Sequence, residues 1–253
     1  MEENNMSSKY TLQSVERALK ILDLFYDRRE LGPNEVAELM DITRSTAFRM
    51  LTTLTESEYL TKTTNGRYRL GIKLFSLGQL AYSHTQLVSY AKPQLIKLAE
   101  TFAETTNLSI LDGYAVIFLD KVTPLTPLKM DTEIGHRYPL NATASGKSIM
   151  AFQAQSKIND FINTFNFVKL TENSIIDPEE FRRELITVKG DGYGTDLEEC
   201  IPGLTCYAAP IIDRSGFAVA AISISGASTR MDVKKEDIIR EVKHAAMSIS
   251  KII

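Results

Sequence analysis

The sequence predicts an α+β protein built as an N-terminal winged helix-turn-helix, a helical linker and a larger C-terminal domain. Three observations predict it. Two short amphipathic helices flank a tight turn at Asp41-Ile42. An Asn65-Gly66 dipeptide separates two alternating segments. Beyond residue 100, apolar hairpins and helices follow one another without the regular alternation of a parallel sheet. At 253 residues the chain exceeds the usual single domain of about 100–200 residues, so two domains are expected, 1–70 and 89–253, joined by a linker over 71–88.

From Ser14 to Asp27 the apolar residues Val15, Ala18, Leu19, Leu22 and Phe25 recur at helical spacing, with Ser14 placed to cap the first turn. Gly32-Pro33 then opens a short helix whose apolar side is Val36, Ala37, Leu39 and Met40. The next helix puts Ala47, Leu51 and Leu54 inward. Arg44, Ser45, Thr46, Arg49 and Thr52 are left toward solvent. In "YLTKTTNGRYRLG", two alternating strands surround Asn65-Gly66, a pair that favours the type I′ hairpin turn. The whole reads as a winged helix.

Net charge is only −3, which excludes a chain that coats polyanions, yet residues 43–70 carry five basic against two acidic side chains, net +3. The second helix and the wing are therefore expected to meet double-stranded operator DNA. Arginine can fork onto guanine edges, and hydroxyls reach bases or phosphates. Lys62 and Arg67 are placed to grip the backbone at the wing. A winged module that binds protein and no DNA is the alternative.

"GIKLFSLGQLAYSHTQ" is too apolar all round for an isolated surface helix, so its Leu74, Leu77, Leu80 and Ala81 face is expected between protomers of a homodimer or homotetramer. The following segment should be helical, with a break or kink near Pro93 and a Leu95, Leu98, Ala99, Phe102 stripe over a sheet. In the second domain a hairpin is expected around Asp112-Gly113, a strand at "TPLKMDT", and two strands, "CYAAPIID" and "AVAAISISG". Helices are expected at 145–155, 156–165, 178–190 and 232–252.

"NATASGKS", residues 141–148, nearly spells a phosphate loop, but Asn141 replaces the first glycine and the preceding "IGHRYPL" is no buried strand. What remains is a run of small residues opening an apolar helix. A carboxylate could approach backbone N–H groups there, or the small residues could serve only close packing. On the first reading Lys147 should matter less than added bulk, because the N–H groups belong to the chain.

Catalysis finds no support: Cys206 lacks a neighbouring base, and His84, His136 and His244 fall in no nucleophile-type pattern. Cys200 and Cys206 lack zinc-site spacing, and "GDGYG" follows a helix, not a strand, so neither metal nor cofactor is expected. The polar start and the lack of any run of about 18 apolar residues predict a cytoplasmic protein without membrane spans.

"SVERALKILDLF", "RYRLG", "ATASGK", "GYGTDLEECIPGLTCYAAPIID" and "AAISISG", in that order, resemble the IclR family of bacterial transcription regulators. The resemblance covers the chain after about residue 11. It implies a GAF-like effector-binding C-terminal domain, dimers or tetramers on operator DNA, and a regulator expected to act as a repressor. By the same resemblance, the effector, a small organic acid on the reading of the helix start above, would meet Met130, Ala144, Ser145, Gly146, Asp196, Cys206, Ser223 and Ser225. Other roles stay open: Asp196 as a loop cap, Cys206 as a small core residue, the serines as partners for backbone groups.

Overall fold

The computed structural model describes residues 11–83, 86–124 and 133–253, and the chain divides into two compact units, Met1–Thr85 and Gln86–Ile253. The first unit carries helices α1 (Gln13–Asp23), α2 (Pro33–Leu39) and α3 (Arg44–Glu56), strands β1 (Leu60–Lys62) and β2 (Tyr68–Leu70), and helix α4 (Ile72–Ser83). Its core joins Ile21, Phe25, Val36, Ala47, Leu51, Leu54, Leu60 and Tyr68. Leu31 pairs with Tyr68 and ties the wing to the approach of α2.

Three local expectations are corrected. Helix α1 starts at Gln13 after Leu12, with no side-chain cap, so Ser14 lies inside the helix. Val15 and Leu19 stay 51% and 57% exposed; the core takes Ile21 instead. The wing turn is not type I′, which needs positive φ at both central residues. Only Gly66 is left-handed there (φ 80°), while Thr63 closes the loop by donating to the Arg67 carbonyl at 2.8 Å. Asn65 uses its Oδ1 to accept from the Arg67 N–H at 3.3 Å. At the end of the wing Gly71 has no space for a side chain, since a Cβ would stand 2.3 Å from the Glu58 carbonyl.

The second unit begins with α5 (Leu87–Phe102), which runs unbroken through Pro93. Strands β3 (Thr105–Asp112), β4 (Ala115–Val122), β5 (Arg137–Pro139), β6 (Gly194–Leu197), β7 (Leu204–Ile212) and β8 (Ala218–Ala227) form one antiparallel sheet. Their order is β5-β4-β3-β8-β7-β6. Helices α6 (Ala144–Ala151), α7 (Gln155–Thr164) and α8 (Pro178–Asp191) lie between β5 and β6, and α9 (Ser228–Val233) and α10 (Lys235–Ser250) close the chain. The short edge strands β5 and β6 are unforeseen by the sequence reading, the last expected helix is two, and "TPLKMDT" falls outside the described residues.

Period-two alternation gives the sheet two different faces. Tyr207, Ala209, Ile211, Ala220, Ile222 and Ile224 pack with the Leu95, Leu98, Phe102 stripe of α5 and with Ile238, Val242 and Ala246 of α10. The other face, against α6, carries Cys206, Ala208, Ser223 and Ser225. That face positions the site.

Candidate functional site

Helix α3 is capped by Thr43, whose Oγ1 accepts from the Thr46 N–H at 3.2 Å and lies 2.9 Å from the Thr46 hydroxyl. Thr46 is thereby occupied locally. The Thr52 hydroxyl donates to the Phe48 carbonyl at 2.8 Å, an intrahelical bond. Arg44, Ser45 and Arg49 are exposed, and their neighbour Phe48, which sequence reasoning did not single out, is 47% exposed on the same helix. The i, i+3, i+4 spacing that places Ser45 beside Arg49 and Thr52 places Phe48 with them.

On the wing Lys62 is exposed, its ammonium 5.9 Å from the Tyr68 ring centre. Arg67 is engaged elsewhere. Its Nη2 donates to the Glu30 carbonyl at 2.9 Å and lies 2.8 Å from Glu35 Oε2, while that carboxylate accepts from the Gly32 N–H at 2.7 Å. The Gly32 N–H, and then Arg67, hold the Glu35 carboxyl below its usual range. Arg67 thus fastens the wing to the start of α2 through Nη2, a tie that the sequence reading did not foresee.

In the second unit the register puts Asp196 of β6, Cys206 of β7 and Ser225 of β8 in one row across the sheet, with Ser223 two positions along. They line a cavity of about 30 Å³ together with Ala144 and Ser145 at the start of α6, and with Phe118, Tyr138, Thr143, Cys200 and Leu204. Among these only the "ATASGK" motif hints at Thr143, because hydroxyls favour helix caps. Thr143 Oγ1 accepts from the Gly146 N–H at 3.2 Å. The N–H groups of Ala144 and Ser145 precede the first intrahelical bond, Lys147 N–H to Thr143 carbonyl at 3.1 Å, and have no acceptor within α6.

Gly146 is absent from the lining. A Cβ there would stand 2.4 Å from the Leu140 carbonyl, so its smallness serves close packing. Gly194 is similar: a Cβ would stand 2.7 Å from the Ala144 carbonyl and from Ser148 Oγ, so β6 and α6 meet backbone to backbone. Met130 lies outside the described residues, as does the Ala81 side chain.

Lys147 is absent from the cavity lining and holds an ion-pair cluster that the sequence did not indicate. It is wholly buried, with Nζ 2.6 Å from Glu199 Oε1 and 3.3 Å from Glu184 Oε1. Asp196, 2% exposed, accepts through Oδ1 from the N–H groups of Glu199 (2.8 Å) and Cys200 (3.2 Å). Burial pushes its carboxyl up to about 7, the Glu199 charge adds to this, and the two N–H groups and Lys147 oppose it. Burial likewise raises Glu199 against the pull of Lys147, pushes the Cys200 thiol up to about 12 and raises Cys206 well above its usual value. Both thiols stay protonated, which suits packing and not nucleophilic attack. Among the described residues no group of three or more His, Cys, Asp or Glu could hold a metal, and no helix is long and apolar enough to cross a membrane.

Comparison with known proteins places both units. Residues 14–64 match the IclR helix-turn-helix domain, and residues 79–251 match the family described as bacterial transcriptional regulator IclR C-terminal. The regulator XynR of Escherichia coli is 31% identical over 243 residues, covering 95% of this chain and 96% of the relative. KdgR of Dickeya chrysanthemi is 31% identical over 242 residues, 95% and 79% of the two chains. The crystal structure of Thermotoga maritima IclR superposes with a TM-score of 0.71 at 29% identity, covering 95% of this chain and 98% of that one. An IclR homologue from Microbacterium hydrocarbonoxydans, solved in complex with 4-hydroxybenzoate, shares the fold at a TM-score of 0.80 and 22% identity, over 94% and 98%. The named relatives are transcription regulators, not enzymes.

Proposed function

The chain belongs to the IclR family of bacterial transcription regulators, and from that membership we propose how it reads DNA and what modulates it. Helix α3 enters the major groove of an operator, with Arg44 and Arg49 at base edges, Ser45 and Thr52 beside them and Lys62 on the flanking phosphates. Thr46 holds the helix cap, and Arg67 holds the wing in shape. The observation that carries this reading is that the guanidinium groups of Arg44 and Arg49 stand exposed on a capped helix and make no ion pair among the described residues.

The chain acts as a repressor released by a small organic acid. The acid's carboxylate meets the Ala144 and Ser145 N–H groups, with Asp196, Cys206, Ser223 and Ser225 around the rest. At about 30 Å³ the cavity is too small for an organic acid, so entry of the acid displaces the Phe118 and Tyr138 rings that wall it. Exposed Ile72, Phe75 and Leu80 on α4 support assembly as a homodimer or homotetramer.

The test is binding to an operator selected from random DNA. An Arg44→Ala/Arg49→Ala protein that folds normally should lose about 2–6 kcal/mol of specific affinity, about 1–3 for each arginine that reads a base. Equal affinity of this variant and the wild type, measured by fluorescence anisotropy, removes α3 as the reading element.

A further inference from the structure

The cavity beside α6 is lined by a carboxylate and has no cation of its own among the described residues. Lys147 is the nearest ammonium, and its charge is already shared by Glu199 and Glu184 at 2.6 and 3.3 Å. Asp196 is the third carboxylate around that single ammonium, and Glu199 Oε2 is buried without a hydrogen-bond partner among the described residues. Among the described residues, the other titratable groups facing Asp196 are the Cys206 thiol from β7, the Cys200 thiol from the loop after β6, and the Tyr138 phenol from β5 across the cavity. None of them is a base. Whenever Asp196 is ionised, an organic acid entering as its anion adds a fourth negative charge to a site whose described residues hold one positive one, in a setting too dry to screen it.

This inference rests on the reading of the cavity as the site of an organic acid. We propose that the acid binds as an anion together with one proton, taken from solvent by Asp196, so that binding is coupled to proton uptake. Two backbone N–H groups already occupy Asp196 Oδ1, so Oδ2, on the carboxyl that the Cys206 thiol also contacts, carries the proton and donates it in a hydrogen bond to the incoming carboxylate. The effector's second oxygen takes the N–H groups of Ala144 and Ser145. No bond other than O–H forms, and the complex gains no net charge. Since the Asp196 carboxyl already sits at about 7, the proton is acquired at little cost in neutral solution and at rising cost above it. The coupling favours monoanions and disfavours any ligand whose charge one proton cannot offset, such as a dianion.

The experiment is calorimetric titration of the full-length protein with pyruvate and with 4-hydroxybenzoate, each beside its neutral amide, from pH 6 to 8.5. The acids should bind with a near-constant Kd below pH 7 and about tenfold more weakly per unit above it, roughly thirtyfold by pH 8.5. The amides should bind without that slope. Repeating the acid titrations at pH 8 in phosphate and in Tris, whose ionisation heats differ, should give uptake of one proton per site. In Asp196→Asn, whose amide mimics the protonated carboxyl, both slope and uptake should vanish. An acid that binds equally well at pH 6 and 8.5, or that takes up no proton, overturns the coupling and leaves the cavity as an acid site. An unchanged slope in Asp196→Asn overturns Asp196 as the carrier. Failure of both acids to bind at millimolar concentration at every pH overturns the organic-acid reading itself, and the proposal with it.

Discussion

Helices α3 and α6 start alike and live in opposite surroundings. Each opens on a threonine, Thr43 or Thr143, whose Oγ1 accepts from the N–H three residues on at 3.2 Å. Each then carries a basic residue in its first turns. In α3 the basic residues are exposed and make no ion pair among the described residues, whereas every residue of α6 from Ala144 to Ala151 is buried. A buried ammonium without a partner costs far more than an exposed one, and Lys147 accordingly sits between two glutamates. The same local grammar thus yields a surface available to an outside polyanion in one unit and a closed ion-pair core in the other.

The largest expected effect breaks that symmetry at its charges. Lys147→Ala should destabilise the protein by about 3–5 kcal/mol in denaturant unfolding, because it strands buried Glu199. Arg49→Ala should fall within about 0.5 kcal/mol of wild type in the same measurement. Comparable losses from the two would show that burial is not what separates the helices.

The next effect concerns pH. Folding raises the Asp196 carboxyl from 3.8 to about 7, so between those values the unfolded chain sheds a proton that the folded chain keeps. Stability is therefore fully present below about pH 4, falls as pH rises and levels off above about pH 7, by as much as about 4 kcal/mol from this group. Asp196→Asn should lack that decline, read as the difference between variant and wild-type unfolding curves at pH 4, 6 and 8. Parallel curves across the series would mean that Asp196 titrates normally.

The smallest effect sharpens the comparison at the caps. Thr43→Ala should cost about 1 kcal/mol, since water can replace the lost acceptor at an exposed helix start. Thr143→Ala should cost about 2 kcal/mol, because it leaves the buried Gly146 N–H without its partner. Equal costs would mean that solvent reaches the start of α6.

The contrast also marks what could be read in advance. The Ala47, Leu51, Leu54 stripe declares the inner face of α3 through its period alone, so Arg44 and Arg49 follow as the outer face. Nothing comparable declares the partners of Lys147. Glu184 comes from α8, which packs on α6, and Glu199 from the loop after β6, so both reach Lys147 only through tertiary packing. The cavity positions on β6, β7 and β8 were reached through family motifs rather than physics, since Cys206, Ser223 and Ser225 in an apolar strand read equally well as core. Strands β5 and β6, three and four residues long, are too short for alternation to show. Arg67 illustrates a different limit, because charge placed it on the wing while Glu35, drawn in by the cap at Gly32, claimed its Nη2.

The backbone contact at Gly194 has a mechanical consequence. Where two segments touch through side chains, rotamers can swing and absorb a displacement, and the joint is soft. Between the Ala144 carbonyl and Gly194 there is no side chain to swing, so the joint is stiff. A push of a few tenths of an ångström on the first turn of α6 arrives undamped at β6, two residues from Asp196, and passes along the ladder to β7. Gly194→Ala would wedge that joint open before any ligand arrives, shifting the domain's resting position from behind the Ala144 side of the cavity wall.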